Sequence, residues 1–223
     1  MAEALRITRA GFGYTGKTIV RAEELVVNTG EVVVLSGRNG SGKSTVLRSI
    51  CGLQPVMQGS LKISDREIAS LKPEECATRV SIVLTGRPLL TGIDVATLVG
   101  MGRFPHHDIQ ASAGSDTRVV SALSAVGMEA FSRRDTSTLS DGEMQKVMIA
   151  RALCQDTPLL LLDEPTAFLD HEARIELMQL LRRLADTMER AVLFSSHDLS
   201  IALSVADFHW QLKDGTILAQ RPR

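Results

Sequence analysis

The sequence contains Gly37-Arg38-Asn39-Gly40-Ser41-Gly42-Lys43-Ser44-Thr45, which matches the pattern G-x-x-x-x-G-K-[ST] in full. An apolar run at residues 32–35 predicts a strand before it, and residues 46–51 predict a helix after it. Glycines let the backbone curl so that its N–H groups converge on phosphates, and the helix adds the positive end of its dipole. These residues are therefore candidates for nucleotide binding. Lys43 is expected to reach the β- and γ-phosphates, and Ser44 to coordinate Mg²⁺.

This loop alone leaves the reaction open, because kinases, GTPases and ATPases all use it. A second acidic motif narrows the choice. Asp163 and Glu164 follow an apolar run at residues 159–162. Asp163 is expected to hold Mg²⁺, and Glu164 to polarise the attacking water. Lys43 and Glu164 are thus the first two candidate catalytic residues.

Around these motifs the chain alternates strands and helices. Apolar runs without alternation are typical of strands covered on both faces in a parallel sheet. They lie at residues 31–35, 80–84, 159–162 and 191–194. Residues 171–190 carry apolar side chains at steps of three or four, which predicts a helix. The fold class predicted is α/β, with a parallel sheet.

Two other regions have a different character. Residues 5–8, 61–63 and 210–218, with a turn at Asp214-Gly215, predict a small antiparallel β subdomain. Residues 86–157 predict an inserted α-helical subdomain. The chain is interpreted as one domain, 1–223, whose α/β core comprises residues 1–85 and 158–223.

Composition excludes several classes of protein. Of 223 residues, 44% are hydrophobic, too many for a disordered chain, and no apolar run approaches the length of a membrane-spanning helix. The net charge of −1 argues against a general nucleic-acid binder. The start of the chain does not resemble a signal peptide. Its three cysteines contain no CxxC and are expected to be reduced thiols in the cytosol.

Further motifs identify a family. Leu139-Ser140-Asp141-Gly142-Glu143 closely resembles LSGGQ, the signature loop of ATP-binding-cassette (ABC) ATPases. Ala167-Phe168-Leu169-Asp170 resembles the family's D-loop, and Ser195-Ser196-His197-Asp198 its switch-histidine segment. Tyr14 stands where the family stacks an aromatic ring on adenine. The resemblance covers essentially the whole chain, in the correct order, and implies a P-loop NTPase core.

The resemblance implies a role for each motif. Two ATP molecules are sandwiched between two head-to-tail copies of the chain, each site being built from both. Ser140, Asp141, Gly142 and Glu143 form the edge that meets ATP bound by the other copy. Asp170 ends the D-loop along that interface. His197 contacts the γ-phosphate and positions the water, as a third candidate catalytic residue.

Three positions depart from the family pattern. Asp141 replaces a common Gly, and Glu143 a common Gln. Because a carboxylate repels phosphate, Asp141 is expected to point away from it. After the strand at residues 80–84 the family normally places Gln, which touches Mg²⁺ and senses the permease. Here that position is Thr85, a further candidate Mg²⁺ ligand with a shorter reach.

A last segment indicates the branch. Leu98-Val-Gly-Met-Gly102-Arg103-Phe104-Pro105-His106 resembles the LVALGRYPH segment of ATPases that drive import of iron-siderophore complexes, haem and cobalamin. The resemblance implies a bacterial importer. Two copies would sit at the cytoplasmic face of the membrane under permease subunits, which dock in a groove near residues 85–103. A binding protein delivers the substrate, and no nucleic acid is involved.

Two alternatives remain open from the sequence. One is a soluble cassette ATPase that acts on a macromolecular assembly without a permease. The other is a nucleotide-binding regulator with hydrolysis largely lost, against which the complete set Lys43, Asp163, Glu164 and His197 argues.

Overall fold

The computed structural model describes residues 2–86, 91–106 and 116–222. Within these ranges ten strands form one sheet, in the order β5-β4-β1-β2-β10-β9-β3-β8-β7-β6. The strands are β1 Glu3–Tyr14, β2 Lys17–Asn28, β3 Val32–Gly37, β4 Val56–Ile63, β5 Arg66–Glu67, β6 Val80–Val83, β7 Leu159–Leu162, β8 Ala191–Ser196, β9 Phe208–Lys213 and β10 Thr216–Gln220. The α-helices are α1 Lys43–Ile50, α2 Pro73–Ala77, α3 Val95–Gly100, α4 Thr117–Ala125, α5 Asp141–Cys154, α6 His171–Met188 and α7 Leu199–Ala202.

The parallel half of the sheet contains β6, β7, β8, β3 and β9. Every residue of β7 and β8 is buried, because alternate side chains of these strands enter two different cores. Val32 and Val34 belong to the core that includes α5 and α6, whereas Val33 and Leu35 belong to the core that includes α1. The apolar runs at residues 31–35, 159–162 and 191–194 were therefore correctly interpreted as strands covered on both faces. The run at residues 80–84 forms the edge strand β6, which ends at Val83, and Leu84 is exposed.

The antiparallel half is continuous with the parallel half. Strands β1, β2, β4 and β5 pair antiparallel with one another. A parallel bridge between Thr216 and Arg21 joins β10 to β2, and β9 pairs with β3. The predicted hairpin over residues 210–218 is confirmed, and it connects the antiparallel strands to the parallel ones within one sheet.

Helices α3, α4 and α5 lie between β6 and β7 in the chain and pack against one another. Each begins at a side chain that accepts a hydrogen bond from a backbone N–H within the first turn: Asp94, Asp116 and Ser140. Such caps satisfy donors that have no partner inside the helix. Arg87, in the expected permease groove, and the loop-like cluster at residues 110–115 lie outside the described residues.

Helix α6 ends two residues earlier than the periodicity predicts. Glu189 adopts a left-handed conformation, with φ of 50°, which stops the helix after Met188. Arg190 then turns inward, and its guanidinium donates to the carbonyl of Thr157 and to the carboxylate of Asp156. The hydrogen bonds of Arg190 are therefore favoured over continuing the helix for two more residues. Among the described residues, no helix is both long and apolar enough to cross a membrane.

Candidate nucleotide-binding site

The glycine-rich loop connects the end of β3 to the start of α1. Gly40 and Gly42 have φ values of 74° and 112°, a region that other residues adopt only with strain. A Cβ on Gly42 would also lie 2.6 Å from Cγ2 of Val20. The loop borders a cavity of about 410 Å³, lined by Tyr14, Ile19, Asn39, Gly40, Gly42, Lys43, Ser44, Thr45 and Glu164.

Lys43 lies at the base of this loop. Its Nζ donates to the carbonyl of Gly37 at 3.0 Å and lies 3.2 Å from Oε1 of Glu164, and its side chain is only 7% exposed. Ser41 Oγ is buried with no hydrogen-bond partner among the described residues. A loop that leaves a buried hydroxyl unsatisfied and points a lysine at a glycine-lined cavity fits a bound polyphosphate.

The acidic pair follows β7, at the sheet edge where β3 and β8 also end. Asp163 is buried, and its Oδ1 accepts a hydrogen bond from Ser195 Oγ at 2.7 Å. The same hydroxyl accepts from the backbone N–H of Glu164 at 2.8 Å. Thr85 Oγ1 donates to the carbonyl of Asp163 at 2.6 Å. Neighbouring strands therefore hold both acidic residues from two sides.

Glu164 connects the loop to the switch segment. Its φ of 48° turns the side chain away from the strand direction. Oε1 faces Lys43, and Oε2 is 2.8 Å from Nδ1 of His197, which follows β8. The Glu164 side chain is 17% exposed and the His197 side chain 61% exposed. The Glu164 carboxylate lies at the cavity, whereas the His197 imidazole contacts it from a neighbouring pocket; both groups are able to orient a water molecule.

The oxygen donors at this edge suit a hard divalent cation. Ser44 offers a hydroxyl and Asp163 a carboxylate, which are ligand types that Mg²⁺ prefers. No cluster of three or more His, Cys, Asp or Glu in the described part of the chain could hold a metal by itself.

Tyr14, at the end of β1, lies at the cavity rim. It is 56% exposed, and its hydroxyl is 3.4 Å from Thr45 Oγ1. Both residues line the same cavity as Lys43. Arg38 and Asn39 are exposed on the loop. Tyr14 thus offers an accessible ring beside the phosphate loop, and its stacking on adenine stays a prediction.

The signature loop lies outside the phosphate-loop cavity, although its Asp141 shares a separate small pocket with Glu164. Ser140 caps α5: its Oγ accepts from the backbone N–H of Glu143 at 3.3 Å, and its own N–H donates to Glu143 Oε2 at 2.7 Å. The Ser140 N–H holds the pKa of Glu143 below its usual range, and the charge of Arg134 acts in the same direction. Asp141 is exposed in the first turn, where a negative charge suits the helix dipole. Of the described residues that line the phosphate-loop cavity, none belongs to the signature loop.

The D-loop connects β7 to α6. Asp170 caps α6, because its Oδ1 accepts from the backbone N–H of Ala173 at 2.8 Å. Leu169 is buried and packs 3.9 Å from the position a Cβ would take on Gly142. Phe168, with φ of 67°, is 76% exposed. The D-loop therefore rests against the signature helix and presents an aromatic ring to solvent.

The segment at residues 98–106 contacts the far end of the signature helix. Gly102 approaches α5 so closely that a Cβ there would lie 2.3 Å from the carbonyl of Arg151. Arg103, which is buried, donates to the carbonyl of Cys154 at 3.0 Å, and His106 Nε2 lies 2.7 Å from that of Gln155. These contacts satisfy carbonyls that have no partner inside the helix.

Two features of the site were not foreseen from the sequence. Ser195 was noted only as part of the switch segment, although its hydroxyl joins Asp163 to Glu164. His209 had no assigned role, but it is buried beside β3, and its Nε2 lies 2.6 Å from Ser36 Oγ. The signal for Ser195 was a polar residue in a largely apolar, buried strand, whereas β9, which carries His209, mixes buried and exposed side chains and offered no such signal.

The chain resembles known proteins along its whole length. A family model described as ABC transporter matches residues 21–167. The petrobactin import ATP-binding protein FpuD of Bacillus anthracis is 37% identical over 223 residues, covering 99% of this chain and 81% of that protein. The iron(3+)-hydroxamate import ATP-binding protein FhuC of Bacillus subtilis is 34% identical over 222 residues, covering 97% and 81%.

Solved structures agree with this relationship. One is cbiO1 from Clostridium perfringens, part of the ABC transporter complex cbiONQ. It superposes with a TM-score of 0.89 at 25% identity, over 100% of this chain and 90% of that chain. A metal-chelate type ABC transporter in an inward-facing conformation gives a TM-score of 0.84 at 24% identity, over 99% of this chain and 84% of that chain. This second match bears on the fold alone.

Proposed function

Because the chain belongs to the ABC transporter family, as an ATP-binding subunit, we propose that it hydrolyses ATP to power import of an iron chelate, haem or cobalamin through a separate permease. The observation that carries the catalytic part is the position of Glu164, between Lys43 and His197 beside the glycine-rich loop. The iron-chelate substrate is supported by the names of the related import proteins, and haem and cobalamin are supported by the resemblance of residues 98–106 to the corresponding importer segment.

The roles of the residues follow from their chemistry. The loop N–H groups and Lys43 bind the phosphates. Glu164 orients the attacking water and withdraws its proton, and His197 positions both the water and the γ-phosphate. Ser44 and Asp163 would hold Mg²⁺, which neutralises charge on the phosphates. Thr85 acts in support of Asp163, to whose carbonyl its hydroxyl donates.

The working unit proposed is a head-to-tail dimer with two ATP molecules at the interface. The proposal is supported by the lining of the phosphate-loop cavity, which includes no signature-loop residue among the described residues, although Asp141 shares a separate small pocket with Glu164. Ser140, Asp141, Gly142 and Glu143 would complete the site of a second copy, with Asp170 beside them at the interface.

The chain is proposed to act as one ATPase domain, attached peripherally to the cytoplasmic side of a membrane through its permease. The helical region at residues 86–157 would receive the permease. An extracytoplasmic binding protein would take part indirectly.

Three assays test this function. We expect the purified chain to release phosphate from ATP, and Lys43→Ala to lose ATP binding in a calorimetric titration. Cells lacking the gene should lose uptake of one radiolabelled iron chelate, haem or cobalamin, and only the unmutated gene should restore it. Hydrolysis without an uptake defect would favour the soluble cassette ATPase, and tight ATP binding without hydrolysis would favour the regulator.

A further inference from the structure

Arg134 contacts residues on both sides of the signature serine Ser140. Arg134 Nε donates to Thr138 Oγ1 at 3.0 Å, and Nη2 donates to the Thr138 carbonyl at 2.9 Å. On the other side of Ser140, Arg134 Nη1 lies 3.6 Å from Oε1 of Glu143. The guanidinium also stacks over the ring of Phe131, 5.3 Å from its centroid. The chain that leads into α5 is therefore held by a single planar group.

The two oxygens of Glu143 have separate partners. Oε2 accepts from the Ser140 N–H, and Oε1 faces Arg134. Since Ser140 Oγ accepts from the Glu143 N–H, its own proton remains available for a phosphate oxygen. The carboxylate thus orients the serine, but it also brings a negative charge to a helix end that would otherwise favour an anion.

We propose that Arg134 is a positioning residue for ATP bound by a second copy of this chain. It fixes Ser140 through Thr138 and Glu143, and it offsets the charge with which Glu143 would repel the triphosphate. This inference rests on the head-to-tail dimer of the proposed function. It also explains how the loop tolerates a carboxylate where the related signature carries a neutral amide.

The test uses ATP-dependent dimerisation of the Glu164→Gln protein, measured by sedimentation velocity at low salt. Arg134→Ala should weaken each site about threefold, within the range of exposed ion pairs. Because a symmetric dimer contains the site twice, its dissociation constant should rise about tenfold. Arg133→Ala removes the same charge one residue away and is the matched control, expected to change the constant less than about twofold.

A second protein, in which the charge of Glu143 is removed, distinguishes a positioning role of Arg134 from a role in folding. Glu143→Gln keeps an oxygen for the Ser140 N–H but removes the negative charge. In that background, Arg134→Ala should raise the dissociation constant of the dimer only about twofold, because little negative charge remains to be offset. Arg134→Lys, which keeps the positive charge, should dimerise more tightly than Arg134→Ala.

Each contrary result is decisive. Equal effects of Arg134→Ala and Arg133→Ala overturn the inference, as does a tenfold loss that persists with Glu143→Gln. ATP binding by the dilute monomer must stay unchanged in Arg134→Ala, because Arg134 does not line the cavity. If the Glu164→Gln parent itself stays monomeric with ATP, the dimer and this inference both fail. If the parent dimerises and Arg134→Ala has no effect, this inference alone fails.

Discussion

Glu164→Gln should bind ATP more tightly while hydrolysing it far more slowly. In the free chain the carboxylate lies 3.2 Å from Lys43 Nζ and 2.8 Å from His197 Nδ1. The ion pair between Lys43 and this carboxylate must break before the lysine can bind a phosphate of ATP. Lys43 is 7% exposed and Glu164 17% exposed, so water screens the pair poorly.

The magnitude follows from that geometry. At an effective dielectric constant of about 20, two unit charges 3.2 Å apart attract by roughly 5 kcal/mol before desolvation is subtracted. Desolvation and the hydrogen bond that a Gln oxygen still offers to Lys43 offset most of this. A net release of about 1 kcal/mol gives about fivefold tighter ATP binding. Loss of the general base should lower kcat by about 10² to 10⁴.

The measurements are calorimetric titration with ATP and a phosphate-release assay. Glu74→Gln, the same chemical change on an exposed side chain at the start of α2, is the matched control. Unchanged or weaker ATP affinity in Glu164→Gln would refute the competition between Glu164 and phosphate for Lys43. Turnover like that of the unmutated chain would refute the role of Glu164 as base.

Ser195→Ala should raise the Mg²⁺ concentration for half-maximal hydrolysis about tenfold, because Asp163 loses the hydroxyl that orients it; an unchanged Mg²⁺ titration would contradict this. Arg103→Ala should lower the free energy of unfolding by about 2 kcal/mol in urea titration, since the Cys154 carbonyl loses its buried donor; a loss below about 0.5 kcal/mol would contradict it. Burial lowers the pKa of His209, so the unfolded chain binds a proton at a higher pH than the native one. The free energy of unfolding should therefore fall as the pH drops below about 6.5, and His209→Asn should flatten that pH dependence. If urea titrations at several pH values gave the same pH dependence for both proteins, the explanation would be wrong.

The sequence predicted the parts of the site that depend on contiguous residues. The phosphate loop is one run of chain, the pair Asp163 and Glu164 directly follows an apolar run, and His197 lies three residues after the end of another. Because the carboxyl ends of neighbouring parallel strands meet at one edge, the acidic pair could be placed beside the phosphate loop without coordinates, whereas the role of His197 was implied only by the resemblance to the family.

Contacts between distant side chains could not be predicted in this way. A serine such as Ser195 is as compatible with simple packing as with joining two carboxylate residues. The contacts of Arg103 and His106 with α5 depend on how the helical region folds back, and nothing in the spacing of that segment indicates them. The end of α6 was misplaced for a similar reason, because a buried anchor at Arg190 outweighed helical periodicity.

Helix α5 connects the signature loop to the region expected to meet the permease. The signature serine caps its first turn, and the carbonyls at its other end contact Arg103 and His106, beside the region expected to meet the permease. Fourteen residues make a rod about 21 Å long. If such a rod pivots about its held end by about 10°, its tip moves about 4 Å, more than a hydrogen bond spans. A small tilt imposed from the membrane side is therefore large enough to make or break the contact between Ser140 and a phosphate.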